Sequence, residues 1–184
     1  MLGQRWQLSV ADYARMHETG ILHEDDRVEL IAGTIYAMSP ISPIHAAIVR
    51  RINALLSRKL LGQTIISVQN PSQLDDYTEP QPDLAVLRWR DDYYAAHLPT
   101  GADVLLVIEV ADSSLDFDRN EKLPRYAKAG IPEMWLINVG AATIEQYSEP
   151  FEDRYLSQRL VGYEQTLRPT SIPNLELAGA AVLG

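Results

Sequence analysis

The sequence contains no cysteine, and this absence excludes two kinds of site. Without thiols the chain forms neither a disulfide framework nor a thiolate zinc centre. Its four histidines, at positions 17, 23, 45 and 97, show no metal-ligand spacing either. A chain without cysteine fits a reducing compartment, so we expect it in the cytoplasm.

Long apolar runs are also missing. No window approaches the roughly 20 apolar residues that a membrane-spanning helix requires, and no basic stretch leads into an apolar segment at the N-terminus. We therefore expect neither a membrane anchor nor a signal peptide. The 184 residues, 46% of them apolar, are enough for one domain with a core, and we predict a single domain over residues 1–184.

Positively charged residues are outnumbered. The chain has 16 lysines and arginines against 25 aspartates and glutamates, which gives a net charge of −9. This balance argues against a protein that coats nucleic acid, because such binding depends on neutralising phosphates. It does not argue against an enzyme that acts on nucleic acid, which needs only a local basic strip and whose metal ions offset its carboxylates.

Hydrophobic periodicity predicts an α/β protein. Ser9 can cap a short helix that reaches Met16, and apolar residues at helical spacing predict a longer helix from Ile44 to Leu61. A further helix is predicted over residues 118–129, and residues 89–101 are interpreted as a loop with some helix. Runs of strand length predict strands at 27–31, 34–38, 64–68, 84–87, 104–110, 134–138 and 143–147, with shorter β segments at 155–160 and 166–168.

The order of these elements predicts a mixed β-sheet with helices on its faces. The first two strands flank Ala32 and Gly33 and should form a β-hairpin. The connection from 104–110 through a helix to 134–138 should be a right-handed parallel crossover. The C-terminal segments add further β-structure.

Two carboxylates are predicted to meet at one edge of this sheet. Asp83 stands at the start of one apolar strand and Glu109 near the end of the next. If these strands pair antiparallel, as sequential neighbours often do, the two side chains lie side by side. The helix that follows must begin at the same edge, which brings Lys122 toward the same place.

A metal site explains why Glu109 interrupts an apolar strand, since a buried charge is costly unless it is paired or metal-bound. The oxygen ligands of Asp83 and Glu109 suit Mg²⁺, with Mn²⁺ as a substitute, and the backbone carbonyl of Ala111 is a candidate third ligand. The metal would acidify a water molecule and hold a phosphate oxygen, while Lys122 would position the water or stabilise developing negative charge.

A purely structural interpretation stays open. Glu109 and Lys122 can form an ordinary ion pair, with Asp83 in a turn at a strand end. Pro124 also complicates the position of Lys122, because proline is tolerated only in the first turn of a regular helix. Either the helix starts near residue 123 or its opening turns are bent; a capping pair formed by Asp118 and Glu121 would favour the earlier start.

The sequence resembles a known family of nucleases. The residues that carry the resemblance are Pro82-Asp83, Glu109-Val110-Ala111 and the pattern Asp118-x-x-x-Lys122-x-x-x-Tyr126, together with residues 27–33 and 126–135. They are similar to the Uma-two family of restriction endonucleases, which belongs to the PD-(D/E)XK nuclease superfamily. The similarity extends from about residue 10 to the end of the chain.

This resemblance implies a restriction-endonuclease-like fold and assigns roles to four residues. Asp83 and Glu109 match the metal-binding acids, and Glu29 matches a further acid that borders the site. The superfamily usually carries its lysine two residues after the glutamate, where this chain has Ala111. In this family the role passes to the helix, which makes Lys122 the candidate.

Other residues allow both a functional and a structural interpretation. Arg50, Arg51 and Arg58 lie within about 100° of one another around their helix and can form either a phosphate-tracking strip or a solvated face. His45 can donate to phosphate, but a lone histidine is more often structural. The aromatic residues of segment 89–94 can stack on bases or cover the core, and we favour the latter.

Three functions follow from these observations. The first is a Mg²⁺-dependent endonuclease that hydrolyses phosphodiester bonds in DNA; cutting both strands would favour a homodimer, since one such site cuts one bond. The second is a catalytically silent nuclease-like fold that binds protein or nucleic acid. The third, a two-carboxylate glycosidase, would need neither the lysine nor a metal.

Overall fold

The structure is a computed structural model that describes residues 6–23 and 25–184. Its helices are α1 (Val10–Glu18), α2 (Pro43–Lys59), α3 (Leu115–Phe117), α4 (Leu123–Lys128) and α5 (Gly179–Leu183). Its strands are β1 (Val28–Ile31), β2 (Thr34–Ala37), β3 (Thr64–Val68), β4 (Leu84–Arg88), β5 (Val104–Ala111), β6 (Glu133–Asn138), β7 (Thr143–Phe151), β8 (Arg154–Val161), β9 (Thr166–Leu167) and β10 (Leu177–Ala178).

A six-stranded sheet with the order β3-β4-β5-β6-β7-β8 forms the centre of the fold. All neighbouring strands are antiparallel except β5 and β6, which are parallel and joined through α3 and α4. The predicted mixed sheet, its helical flanks and the parallel connection are confirmed. β9 and β10 pair separately as the C-terminal β addition.

The core lies on both faces of this sheet because alternate residues of β4 to β6 point in opposite directions. On one face, Ile52 and Leu56 of α2 pack over a buried layer that includes Val86 and Trp135. On the other face, Tyr126 of α4 packs over a second layer of residues: Ala85, Leu87, Val107, Met134 and Leu136. The near-continuous apolarity of β4 to β6 follows from this double coverage.

The β1–β2 hairpin is placed beside the main sheet. Ala32 and Gly33 at its turn have φ values of 49° and 74°, which suits a two-residue turn that needs left-handed backbone at both positions. Leu30 exchanges backbone hydrogen bonds with Glu79, at 3.3 and 2.7 Å. This contact holds β1 against the segment that leads into β4, and so brings Glu29 toward Asp83 and Glu109.

Two elements differ from the sequence prediction. The helix predicted at 118–129 begins earlier, at Leu115, and contains a π-helical turn over Asp118–Lys122. The short C-terminal helix α5 was not predicted, and Arg51 donates hydrogen bonds to the Val182 and Leu183 carbonyls at its end, at 3.2 and 2.9 Å. Arg51 therefore caps a helix and does not belong to a phosphate-tracking strip with Arg50.

No helix in the described part of the chain is long and apolar enough to cross a membrane.

Candidate active site

Asp83 and Glu109 lie at the end of the β4–β5 pair, where the carboxylate of each accepts a backbone hydrogen bond from the segment that carries the other. The Asp83 N–H donates to Glu109 Oε2 at 3.2 Å, and the Val110 N–H donates to Asp83 Oδ2 at 2.9 Å. The antiparallel ladder ends just before them, at the pair Leu84 and Ile108. Side-chain oxygens thus replace the next backbone bonds of the ladder, and the two carboxylates are brought together as the sequence predicted.

Lys122 reaches the same place from the π turn and is surrounded by acids. Its Nζ lies 3.0 Å from Glu29 Oε2, 3.1 Å from Glu109 Oε1 and 3.9 Å from Asp118 Oδ1. The Lys122 side chain is only 5% exposed. The structure therefore brings together all four residues that the sequence singled out as catalytic; their roles remain predictions.

The π turn also explains how the helix tolerates Pro124. Proline removes one backbone donor and collides with the carbonyl four residues earlier in a regular helix. Here the Leu123 N–H bonds to the Asp118 carbonyl, five residues back, so the turn before the proline is widened. The widened turn directs both Asp118 and Lys122 into the interior, and both are buried.

Asp118 and Tyr126 are members of the site that sequence reasoning missed. The sequence predicted that Asp118 caps the helix, but it does not. Its carboxylate accepts a hydrogen bond from Ser114 Oγ at 2.6 Å and faces Lys122. Tyr126 donates its hydroxyl proton to Glu109 Oε1 at 2.6 Å. The four-residue spacing from Asp118 to Lys122 to Tyr126 was visible in the sequence, but the turn geometry was not.

Burial and crowding of like charges control protonation in this cluster. Burial raises the pKa of Glu109 to about 8, although Lys122 opposes the shift, and it raises the pKa of Asp118 to about 6. Burial alone would lower the pKa of Lys122, but the negative charges of Glu109, Glu29 and Asp118 outweigh it and the pKa is raised. Lys122 is therefore a fixed cation, and Glu109 is protonated more readily than Asp118.

Asp83 has the opposite character. His45 Nε2 lies 2.9 Å from its Oδ2, and Gln69 Nε2 donates to its Oδ1 at 3.2 Å. Burial would raise the pKa of Asp83, but the hydrogen bond and charge of His45, with further bonds from Val110 and Gln69, lower it. The same bond raises the pKa of His45 against the effect of its own burial. Asp83 is thus the ionised acid of the pair.

The acidic side chains of this cluster and Lys122 line a cavity of about 290 Å³. One wall comes from β2 and the segment that leads into α2, including Tyr36 and Pro40, and the other comes from the segment after β5, including Asp112 and Phe117. The rings of Tyr36 and Phe117 are in contact, with centroids 4.8 Å apart. The acids therefore face a partly open cavity between these two parts of the fold.

The predicted carbonyl ligand, Ala111, points the wrong way. Its carbonyl accepts the Val139 N–H at 3.1 Å, on the side of β6. The N–H and carbonyl of one residue in a strand point the same way, and the Val110 N–H points to Asp83. The predicted carbonyl therefore lies one residue too far along the chain, and Val110 is the better candidate.

The other sequence candidates lie elsewhere. Trp89 and Tyr93, whose rings are in edge contact 5.5 Å apart, are both exposed at the far end of β4 from Asp83. Of the three aromatic residues in that loop, only Tyr94 is buried, with its hydroxyl donating to the Arg88 carbonyl at 2.9 Å. The preferred interpretation of the loop as core cover therefore holds for one of its three aromatic residues.

Comparisons with known proteins identify the family of the chain and support its fold. The profile of the Uma2 family, described as "Putative restriction endonuclease", matches residues 10–180. A crystal structure of "a putative nuclease belonging to DUF820" from Anabaena variabilis is similar in fold, with a TM-score of 0.76 over 96% of this chain and 97% of that chain. At 16% sequence identity this second likeness shows the fold alone. No curated protein matches the chain. Because the family profile spans almost its whole length, the chain belongs to the Uma2 family.

Proposed function

We propose that the protein is a metal-dependent endonuclease that hydrolyses phosphodiester bonds in DNA. The observation that carries this proposal is the convergence of Asp83, Glu109 and Lys122 at one cavity from three separate elements. Membership of a family described as restriction endonucleases supports the same activity. The resemblance to that family supplies the substrate class.

The donor set fits a hard divalent cation such as Mg²⁺, with Mn²⁺ as a substitute. Asp83 and Glu109 offer carboxylate oxygens, and the Val110 carbonyl, which we place on the same side of its strand, offers a third oxygen. When bound, the cation would lower the pKa of a water molecule and polarise a phosphoryl oxygen. Stabilising the charge that develops on the phosphate is left to the protein's own side chains.

Lys122 is suited to stabilise negative charge that develops on the phosphate. Its pKa is raised, so it carries a full positive charge at neutral pH. It also contacts Glu29 and Glu109 in the resting site. Glu29, fixed by the Gln81 N–H at 3.1 Å, holds the ammonium group in place.

One observation favours the alternative, a silent nuclease-like fold that binds protein or nucleic acid. Within residues 6–23 and 25–184, no three acidic or histidine side chains are already arranged as a metal-ligand set. Lys122 engages the Glu109 carboxylate instead. A cation must compete with this ammonium group before the proposed chemistry begins.

Plasmid cleavage distinguishes the two functions. Supercoiled DNA incubated with the protein in Mg²⁺ or Mn²⁺ should be nicked or linearised, and EDTA should stop the reaction. The same preparation of Lys122→Met should be inactive, which excludes a contaminating nuclease. Intact plasmid in both metals would favour the silent fold. Linear product formed without a nicked intermediate would support a homodimer that cuts both strands.

A further inference from the structure

Three hydrogen-bond donors from three elements converge on the carboxylate of Asp83. His45, in the first turn of α2, and the backbone of Val110, in β5, both bond to Oδ2, each at 2.9 Å. Gln69, just beyond the end of β3, donates to Oδ1 at 3.2 Å. An ionised carboxylate has about four acceptor positions. The described contacts fill three of them, and the fourth belongs to Oδ1.

Gln69 adopts an unfavourable backbone conformation at this contact. Its φ is 51°, in the left-handed region that costs energy for a residue with a side chain. Its backbone N–H also donates to the Asp83 carbonyl, at 3.1 Å. Gln69 therefore forms hydrogen bonds to Asp83 with both its backbone and its side chain.

The position of His45 beside Asp83 also costs free energy, because it buries a polar atom of the ring. The imidazole is only 13% exposed, and its Nδ1 is buried without a hydrogen-bond partner among the described residues. A buried polar atom without a partner is unfavourable. Among the described residues, the His45 ring therefore makes its hydrogen bond to Asp83.

We infer that His45 and Gln69 are positioning residues that hold Asp83 in one orientation, so that a single lone pair of Oδ1 is offered to a divalent cation. The inference rests on the proposed metal site. Both residues act through Asp83 and do not take part in the chemistry. Partners that orient a metal ligand typically change metal affinity by about 10- to 100-fold.

Mn²⁺ binding to the full chain without DNA tests this inference, with free Mn²⁺ measured by electron paramagnetic resonance. His45→Leu should raise the dissociation constant by about 10- to 100-fold, whereas His45→Gln, whose amide can still donate to Oδ2, should stay close to wild type. The matched control is His97→Leu, an exposed histidine bonded to Arg90, which should bind normally. Equal affinity of wild type and His45→Leu would overturn the inference.

Gln69→Met supplies a second test if His45→Leu does not fold, because it removes the donor to Oδ1 and keeps the side-chain length. It should also weaken Mn²⁺ binding, and unchanged binding would count against the inference. At saturating Mn²⁺ the cleavage rate of His45→Leu should recover. A loss that persists there in both His45 variants would mean that His45 touches the substrate.

The outcomes separate this inference from the proposed function. If the wild type binds Mn²⁺ but leaves DNA intact, the proposed nuclease activity is contradicted. The Mn²⁺ affinities of the variants can still support the positioning role in that case. A wild type that binds no Mn²⁺ would overturn the positioning role together with the metal site.

Discussion

The backbone N–H of Asp83 donates to the carboxylate of Glu109 over 3.2 Å, so the two acids of the proposed site are fixed to one another by the β-sheet itself. The environment nevertheless separates their chemistry, because the pKa of Glu109 is raised to about 8 and that of Asp83 is lowered. This separation leads to distinct predictions for each residue.

Removing either acid should abolish cleavage. Asp83→Ala and Glu109→Ala should each lower the rate by more than about 100-fold, the upper end of the cost of losing an outer-shell partner of a metal ligand. Because both act through one cation, the double variant should be no worse than the single ones. Asp116→Ala, whose side chain is 93% exposed on α3, is the matched control and should cut normally. Plasmid cleavage by both single variants would contradict the assignment.

Lys122→Met should separate catalysis from metal binding. Cleavage should be lost, while Mg²⁺ affinity stays similar or rises because a competing cation is gone. The variant leaves Glu29, Glu109 and Asp118 without their common partner, which should cost about 3 kcal/mol or more of stability in EDTA. Lys128→Met, an exposed change on α4, is the control. Titration calorimetry and urea unfolding provide the measurements, and normal cleavage by Lys122→Met would show that another group supplies the charge.

Stability in EDTA should fall as the pH rises. The raised pKa values of Glu109 and Asp118, about 8 and about 6, mean that the folded chain keeps protons which the unfolded chain has lost. The free energy of unfolding therefore decreases from about pH 4 to about pH 8. Because the pKa of His45 is also raised, the free energy of unfolding decreases further at pH values above the ordinary pKa of histidine. Asp83 acts in the opposite sense, since its lowered pKa stabilises the fold above about pH 4 and this is lost in acid.

Urea unfolding over a range of pH measures this slope. Glu109→Gln, which cannot ionise, should have a flatter profile between about pH 5 and pH 8 than wild type. Identical slopes for the two proteins would show that Glu109 titrates normally in the fold.

Much of the fold was predictable because the strongest signals are local. The apolar stripe of α2 and the continuous apolar runs of β4, β5 and β6 report burial directly, and the order of elements then restricts the topology. The antiparallel pairing of β4 with β5 followed from sequence adjacency. From that pairing alone, Asp83 and Glu109 had to meet.

The rest of the site depends on geometry that periodicity does not record. The π turn redirects Asp118 from a capping position to Lys122, and it arises from how the turn accommodates Pro124. Gln69 and His45 reach Asp83 only because β3 ends and α2 begins beside it. The Ala111 carbonyl was chosen by proximity in sequence, whereas the direction of a carbonyl follows from strand pairing.

The stability effect of a divalent cation tests the central claim, that Asp83 and Glu109 jointly hold a metal, without a DNA substrate. A cation at tenfold above its dissociation constant should add about 1.4 kcal/mol, or about 3 to 6 °C in Tm for a domain of this size. Mn²⁺ or Mg²⁺ at millimolar levels should therefore raise Tm beyond NaCl of matched ionic strength. Asp83→Ala should lose most of this excess and Asp116→Ala should keep it. Equal shifts from divalent and monovalent salt, or an excess that survives in Asp83→Ala, would contradict the metal site.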